Sequence, residues 1–176
     1  MPATMSYRYQ SRLCSRLFSG PELSSKTFLY EGDYITPGPT VPLVNLPYTH
    51  LFGGLINNIE RNTCDIMRST KIVIHGTSYS SKSIILLECD EESLPVFAEI
   101  NDICILKNEV LFIVILLETI SYDDRVNGYL YKKLPNYSLK LVNAKNLIFP
   151  HPLSSFKLNN QQFIPLINHQ RCEFVG

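Results

Sequence analysis

Tryptophan is absent from this sequence, no C-x-x-C pair occurs, and long apolar runs are missing. The longest unbroken run, Val110 to Leu117 (VLFIVILL), has eight residues, whereas a membrane-spanning helix needs about twenty. Five cysteines, Cys14, Cys64, Cys89, Cys104 and Cys172, follow no regular spacing. Zinc-finger and thioredoxin-type pairs therefore have no support. Cys104 lies within an apolar run and reads as a buried free thiol, which suits a reducing compartment, nuclear or cytoplasmic, better than a secretory one.

Missing glycine patterns remove further classes. The stretch KIVIHGTSYSS, Lys71 to Ser81, ends a β-branched run in His75-Gly76, as the oxyanion loop of an α/β-hydrolase does. Such an enzyme also needs a nucleophile elbow of the form G-x-S-x-G. None of the eight glycines opens one, so Ser78, Ser80 and Ser81 read as turn residues, and a hydrolase around His75 is the weakest alternative. Gly53-Gly54 lacks the flanking pattern of a phosphate loop. His169 and Cys172 have ligand-like spacing, yet two ligands do not make a zinc site. The acids of ECDEE, residues 88–92, lack the alternation of a calcium loop. Glu99 with Asp102, and Asp123 with Asp124, are paired carboxylates without a recognisable partner and read as surface charges. No metal, cofactor or catalytic residue is expected.

What is present points to a packed β protein. A hydrophobic content of 45% against 18% charged argues for a core, and 10 Tyr with 9 Phe suit pleated, half-buried surfaces. Net charge is zero but uneven: +3 over 1–87, −9 over 88–124 and +6 over 125–176. An acidic surface beside a basic strip suits a basic partner and a phosphate-bearing one. The simpler reading is that acidic and basic strands pair with each other in one sheet.

Residues 1–68 read as irregular and partly helical. Arg8, Arg12 and Arg16 precede any acid, a pattern shared by mitochondrial transit segments and by basic tails. Pro37, Pro39, Pro42 and Pro47 favour extended or turn backbone. Thr49 to Ser69 is the best helix candidate, with Leu55, Ile59 and Ile66 near helical spacing. From 69 to 170 short strands follow one another: Ile72–Ile74, a turn at Gly76-Thr77-Ser78, Ile84–Cys89, the acidic turn 90–93, Leu94–Leu106, a tight turn at 107–109, Val110–Tyr122, then YLYKK. Leu139–Val142, Ile148–Phe149 and Phe163–Ile167 are further candidates, and 171–176 is a tail. In the third strand Val96, Ala98 and Ile100 share one parity, whereas Ile103 and Ile105 take the other. A parity switch requires a bulge or a sharp bend near Asn101. Val110–Leu117 is apolar on both parities, as a strand buried on both faces must be.

Aromatic residues Phe97, Tyr122, Tyr129 and Tyr131 fall close in sequence to Glu99, Asp123 and Asp124. Aromatic faces beside carboxylates attract a cation; the simpler reading is that these rings fill the core. Lys132, Lys133, Lys140, Lys145 and Lys157 form the basic strip, where Tyr131 and Tyr137 suit base stacking.

The segment SIILLECDEESLPVFAEINDICILKNEVLFIVILLETISYDD is similar to a small β-barrel segment of transposon-linked animal proteins, a likeness spanning about residues 70–170. The same order of strands more loosely resembles Tudor and other SH3-like chromatin barrels, although their Tyr-Gly-Asn-like turn is matched only by Tyr122-Asp123-Asp124. These resemblances imply no catalytic motif. The expected fold is mostly β, a small SH3-like or related barrel. The expected function is a non-catalytic interaction module of mobile-element origin that binds a basic peptide through Phe97, Glu99, Tyr122, Asp123, Asp124, Tyr129 and Tyr131. Nucleic-acid binding through the lysine strip is the alternative, and a chain without retained molecular function the third reading.

Overall fold

The computed structural model describes residues 34–57, 63–89 and 94–165. Ten strands make one antiparallel sheet: β1 (Tyr34–Pro42), β2 (Asp65–Ile74), β3 (Thr77–Ser80), β4 (Ile84–Cys89), β5 (Pro95–Leu106), β6 (Glu109–Asp123), β7 (Gly128–Lys133), β8 (Leu139–Asn143), β9 (Phe156–Leu158) and β10 (Gln161–Pro165). The strand order is β1-β2-β5-β6-β7-β10-β9, with β3 on β2, β4 on β5 and β8 on β6. The sheet curls into a half-barrel, a mostly-β fold as expected. The basic segment before residue 34, the acidic turn 90–93 and His169 with Cys172 lie outside the described residues.

The parity switch in β5 is a bulge. Its register against β6 shifts between Ile100 and Asp102, leaving Asn101 as the extra residue. At the same point β5 changes neighbours: residues 95–99 pair with β4, residues 103–105 with β2. Ala98, Ile100, Ile103 and Ile105 thereby all reach one core, with Ile72, Val110, Phe112 and Val114. The opposite face carries two separate clusters. Cys104, Leu106, Leu111 and Ile113 pack under Leu43, Tyr48 and Phe52, whereas Phe97, Leu117 and Tyr131 pack with Ile84, Leu153 and Ile164. β6 is thus central and covered on both faces along its first half.

β1 already belongs to the sheet, so the boundary expected near residue 69 falls inside β2, and the described part of the N-terminal third contributes strand and 3₁₀ turns to the same fold. β1 sits at the sheet edge, where prolines are tolerated because no ladder bond is needed on their outer side. Pro37 opposes Ser69 and Thr40 opposes Met67, so Gly38 and Pro39 bulge out opposite Arg68. A Cβ on Gly38 would lie 2.6 Å from the Arg68 carbonyl oxygen, which explains the glycine. Among the described residues, the part of the helix expected over Thr49–Ser69 that is helical is the 3₁₀ segment Thr49–Gly54, preceded by a 3₁₀ turn at Leu43–Asn45. From Asp65 the chain is strand, because Ile66 and Ile72 bury their side chains through the sheet ladder. Residues 58–62 lie outside the described residues.

Strands β4 to β8 follow the expected boundaries to within a residue. Ile148–Phe149, expected as a strand, is a bend among Pro150 and Pro152. The turn expected at Gly76-Thr77-Ser78 closes earlier, at His75 and Gly76, both with positive φ (50° and 76°), and Thr77 already belongs to β3.

Candidate functional site at the β6–β7 hairpin

β6 and β7 pair Tyr122 with Tyr129 and Asp123 with Gly128. The aromatic residues expected near the carboxylates do come together as a row. Ring centroids are 5.8 Å apart for Phe97 and Tyr129, and 5.2 Å for Tyr129 and Tyr122. The row runs from the interior outward: Phe97 is 3% exposed and Tyr122 37%. Tyr131 is buried beside Leu117 and Ile164, on the same face of β7 as Tyr129, which packs against that cluster nearer the hairpin tip. Phe97 and Tyr131 are therefore core side chains, and only the Tyr122 end of the row meets solvent.

The carboxylates divide in the same way. Glu99 faces inward and binds the Lys133 ammonium at 2.6 Å. Asp123 accepts a hydrogen bond from the Arg125 amide at 2.9 Å, fixing the hairpin tip, and Asp124 is exposed beside it. The Tyr122 hydroxyl donates to Asn127 Oδ1 across the same turn, and Asn127 carries the positive φ (49°) that the reversal requires.

The lysine strip is largely matched by acids of the same sheet. Lys132 pairs with Glu118 at 3.1 Å, directly across the β6–β7 ladder. Lys140 pairs with Glu88 at 3.5 Å and Lys145 with Glu109 at 3.6 Å. Lys157 is exposed on β9. Tyr137, 55% exposed, lies on the connection between β7 and β8. The uneven charge of the sequence is thus met in large part within the sheet, as cross-strand pairing predicts.

Asp102, read as a surface charge, is buried (7% exposed) at the β5 bulge. Arg68 donates to its Oδ2 from Nε at 2.8 Å, the Tyr48 hydroxyl donates to the same oxygen, and the Ile103 amide donates to Oδ1 at 3.0 Å. Burial first, then the hydrogen bond to Asp102, holds the Tyr48 phenol well above its usual range. Burial would lower Arg68, but its bonds to Asp102 outweigh that and leave it raised. Burial and the neighbouring Asp102 charge push the adjacent Cys104 thiol up to about 12. Sequence reasoning missed this cluster because Tyr48 lies 54 residues from Asp102; the parity break at Asn101 was the one available signal. A charge so fully satisfied fixes the bulge and anchors the Tyr48 segment.

His75 sits exposed at the β2–β3 turn. β2 returns there as β3 through the two-residue turn His75-Gly76. Ser80 hydrogen bonds with Ser83 and Ser81 with the Asn101 carbonyl. Among the described residues no three His, Cys, Asp or Glu side chains gather as a metal site requires, and no helix is long and apolar enough to cross a membrane. Comparison with protein-family models, curated proteins and solved structures finds no match to this chain.

Proposed function

We propose that this chain is a non-catalytic interaction module whose β6–β7 hairpin tip receives a basic side chain of a partner peptide. The observation that carries this reading is the contrast between matched and unmatched acids. Glu88, Glu99, Glu109 and Glu118 each have a lysine partner. Asp123 and Asp124 have no such lysine among the described residues and follow in sequence a half-exposed tyrosine whose ring meets that of Tyr129. A cation above an exposed ring gains about 0.5–1 kcal/mol, and an exposed carboxylate adds roughly as much. Together these contribute about 1–2 kcal/mol, so a single basic side chain binds weakly and affinity grows with each further basic residue engaged. A mobile-element origin belongs to the same proposal and rests alone on the resemblance over about residues 70–170, carried by the segment from Ser83 to Asp124.

The test is fluorescence anisotropy of the full chain with a labelled Lys/Arg-rich peptide, trimethylated or not, and a labelled single-stranded oligonucleotide, at two salt concentrations. Peptide binding lost in Tyr122→Ala and weakened in Asp124→Asn supports the reading. Oligonucleotide binding that collapses with salt, without peptide binding, transfers the function to the lysine strip. Neither binding, from a folded chain, ends both.

A further inference from the structure

We infer that the opposite end of the half-barrel is a binding site for a small apolar molecule carrying a carboxylate. A cavity of about 440 Å³ opens there, between the β2–β3 turn and the segment following β8. Its wall is apolar, made by Ile74, Tyr79, Val110, Ala144 and Leu147, and its rim carries His75 and Lys145. Val110 and Tyr79 belong to the concave core, against which Ile74, Ala144 and Leu147 pack while remaining only half-buried. The cavity is thus an uncovered extension of the core, within the range of about 300–1,000 Å³ that small-molecule sites occupy.

The walls are held in place before any ligand arrives. The Tyr79 hydroxyl donates to the Pro150 carbonyl, Thr77 Oγ1 meets His151 Nδ1 at 3.1 Å, and the Leu153 amide donates to the Ile84 carbonyl at 2.7 Å. These bonds fasten the 144–153 segment to β3 and β4, so closing the pocket costs little ordering. His75 occupies the first position of a two-residue turn with φ 50°, where asparagine is the usual choice. Its placement brings an imidazole to the rim.

Lys145 selects the head group. Its amine touches Glu109 at 3.6 Å with the side chain 62% exposed, a pair weak enough to exchange for a ligand carboxylate. The other Glu109 oxygen is held by Asn143 Nδ2 at 3.1 Å. An ammonium at the rim of an apolar wall suits a molecule with a carboxylate head and an apolar body. Val110 lies at the start of β6 and Asp123 at its end, so this site and the peptide-binding tip succeed or fail separately.

Titration of the ¹⁵N-labelled full chain with sodium octanoate, and in parallel with octanol, tests the assignment. Saturable shifts centred on His75, Val110, Lys145 and Leu147 are expected, with octanoate the tighter ligand. The double variant His75→Gln, Lys145→Gln weakens octanoate roughly tenfold, the worth of a charged hydrogen bond, and leaves octanol unchanged. Ala144→Phe fills the cavity and abolishes both, with spectral dispersion reporting whether it folds. Shifts that are absent, do not saturate or centre elsewhere overturn the site. Equal affinity for octanoate and octanol, or no effect of the double variant, overturns the carboxylate assignment.

Discussion

Arg68 and Asp102 meet where β5 changes its partner strand: Nε and Nη2 of Arg68 both lie 2.8 Å from Asp102 Oδ2. The carboxylate side chain is 8% exposed and the guanidinium side chain 44%, so the pair is a buried acid reached by a base from the surface. Asp102→Ala leaves Tyr48 and the Ile103 amide without their acceptor. A loss of about 3 kcal/mol is expected in urea unfolding, and roughly half that for Asp102→Asn, which keeps the acceptor and loses the charge.

Alkaline pH should unfold this protein through its buried acids. Burial pushes Tyr79 up to about 12, and Cys104 is raised to the same region, while in an unfolded chain they ionise near 10 and 9. Between pH 9 and 12 the unfolded chain therefore holds fewer protons than the folded one, and stability falls with each step upward. Below pH 9 this contribution is fully present. Tyr79→Phe should reduce the loss between pH 10 and 12 by on the order of 2 kcal/mol, read from unfolding midpoints at each pH.

The same burial makes Cys104 inert. Alkylation of the native protein followed by mass spectrometry should label the half-buried Cys64 and Cys89 while sparing Cys104 until the sheet unfolds. Early labelling of Cys104 would show that the Tyr48–Phe52 segment opens.

That segment also predicts a limit on truncation. Phe52 is fully buried over Cys104, Leu111 and Ile113. Phe52→Ala should cost about 3–5 kcal/mol. A chain starting at residue 69 removes β1, the first four of the ten residues of β2 and this cover together. It should show no cooperative unfolding transition by circular dichroism.

The two lysines at the end of β7 should differ despite being adjacent. Lys133 binds Glu99, whose side chain is 14% exposed, whereas Lys132 binds Glu118, 44% exposed. Lys133→Ala is expected to cost about 1 kcal/mol and Lys132→Ala less than about 0.5 kcal/mol in thermal unfolding.

Strands with period-two alternation and glycine or asparagine turns were legible in the sequence. So was the bulge, because alternation changes parity only where a residue is added or the strand bends sharply. β1 was not: its prolines left extended and turn backbone equally open, and an edge position is what reconciles them with a strand. β2 was half-legible, since Leu55, Ile59 and Ile66 mimic a helical stripe that the pairing of Asp65–Pro42 and Ile66–Val41 overrides. For the aromatic site, sequence proximity brought the right rings together, but the burial of Phe97 and Tyr131 depends on Leu153 and Ile164 arriving from distant segments. Burial of Asp102 was invisible, because it depends on Tyr48 arriving from a distant segment.

The bulge at Asn101 also divides the far face of the sheet into two apolar compartments, one around Phe52 and one around Leu153. Side chains in separate compartments share no packing neighbours, so substitutions on the two sides should add in free energy. Each compartment is then at liberty to drift in sequence on its own, provided Asp102 and its partners keep the seam between them.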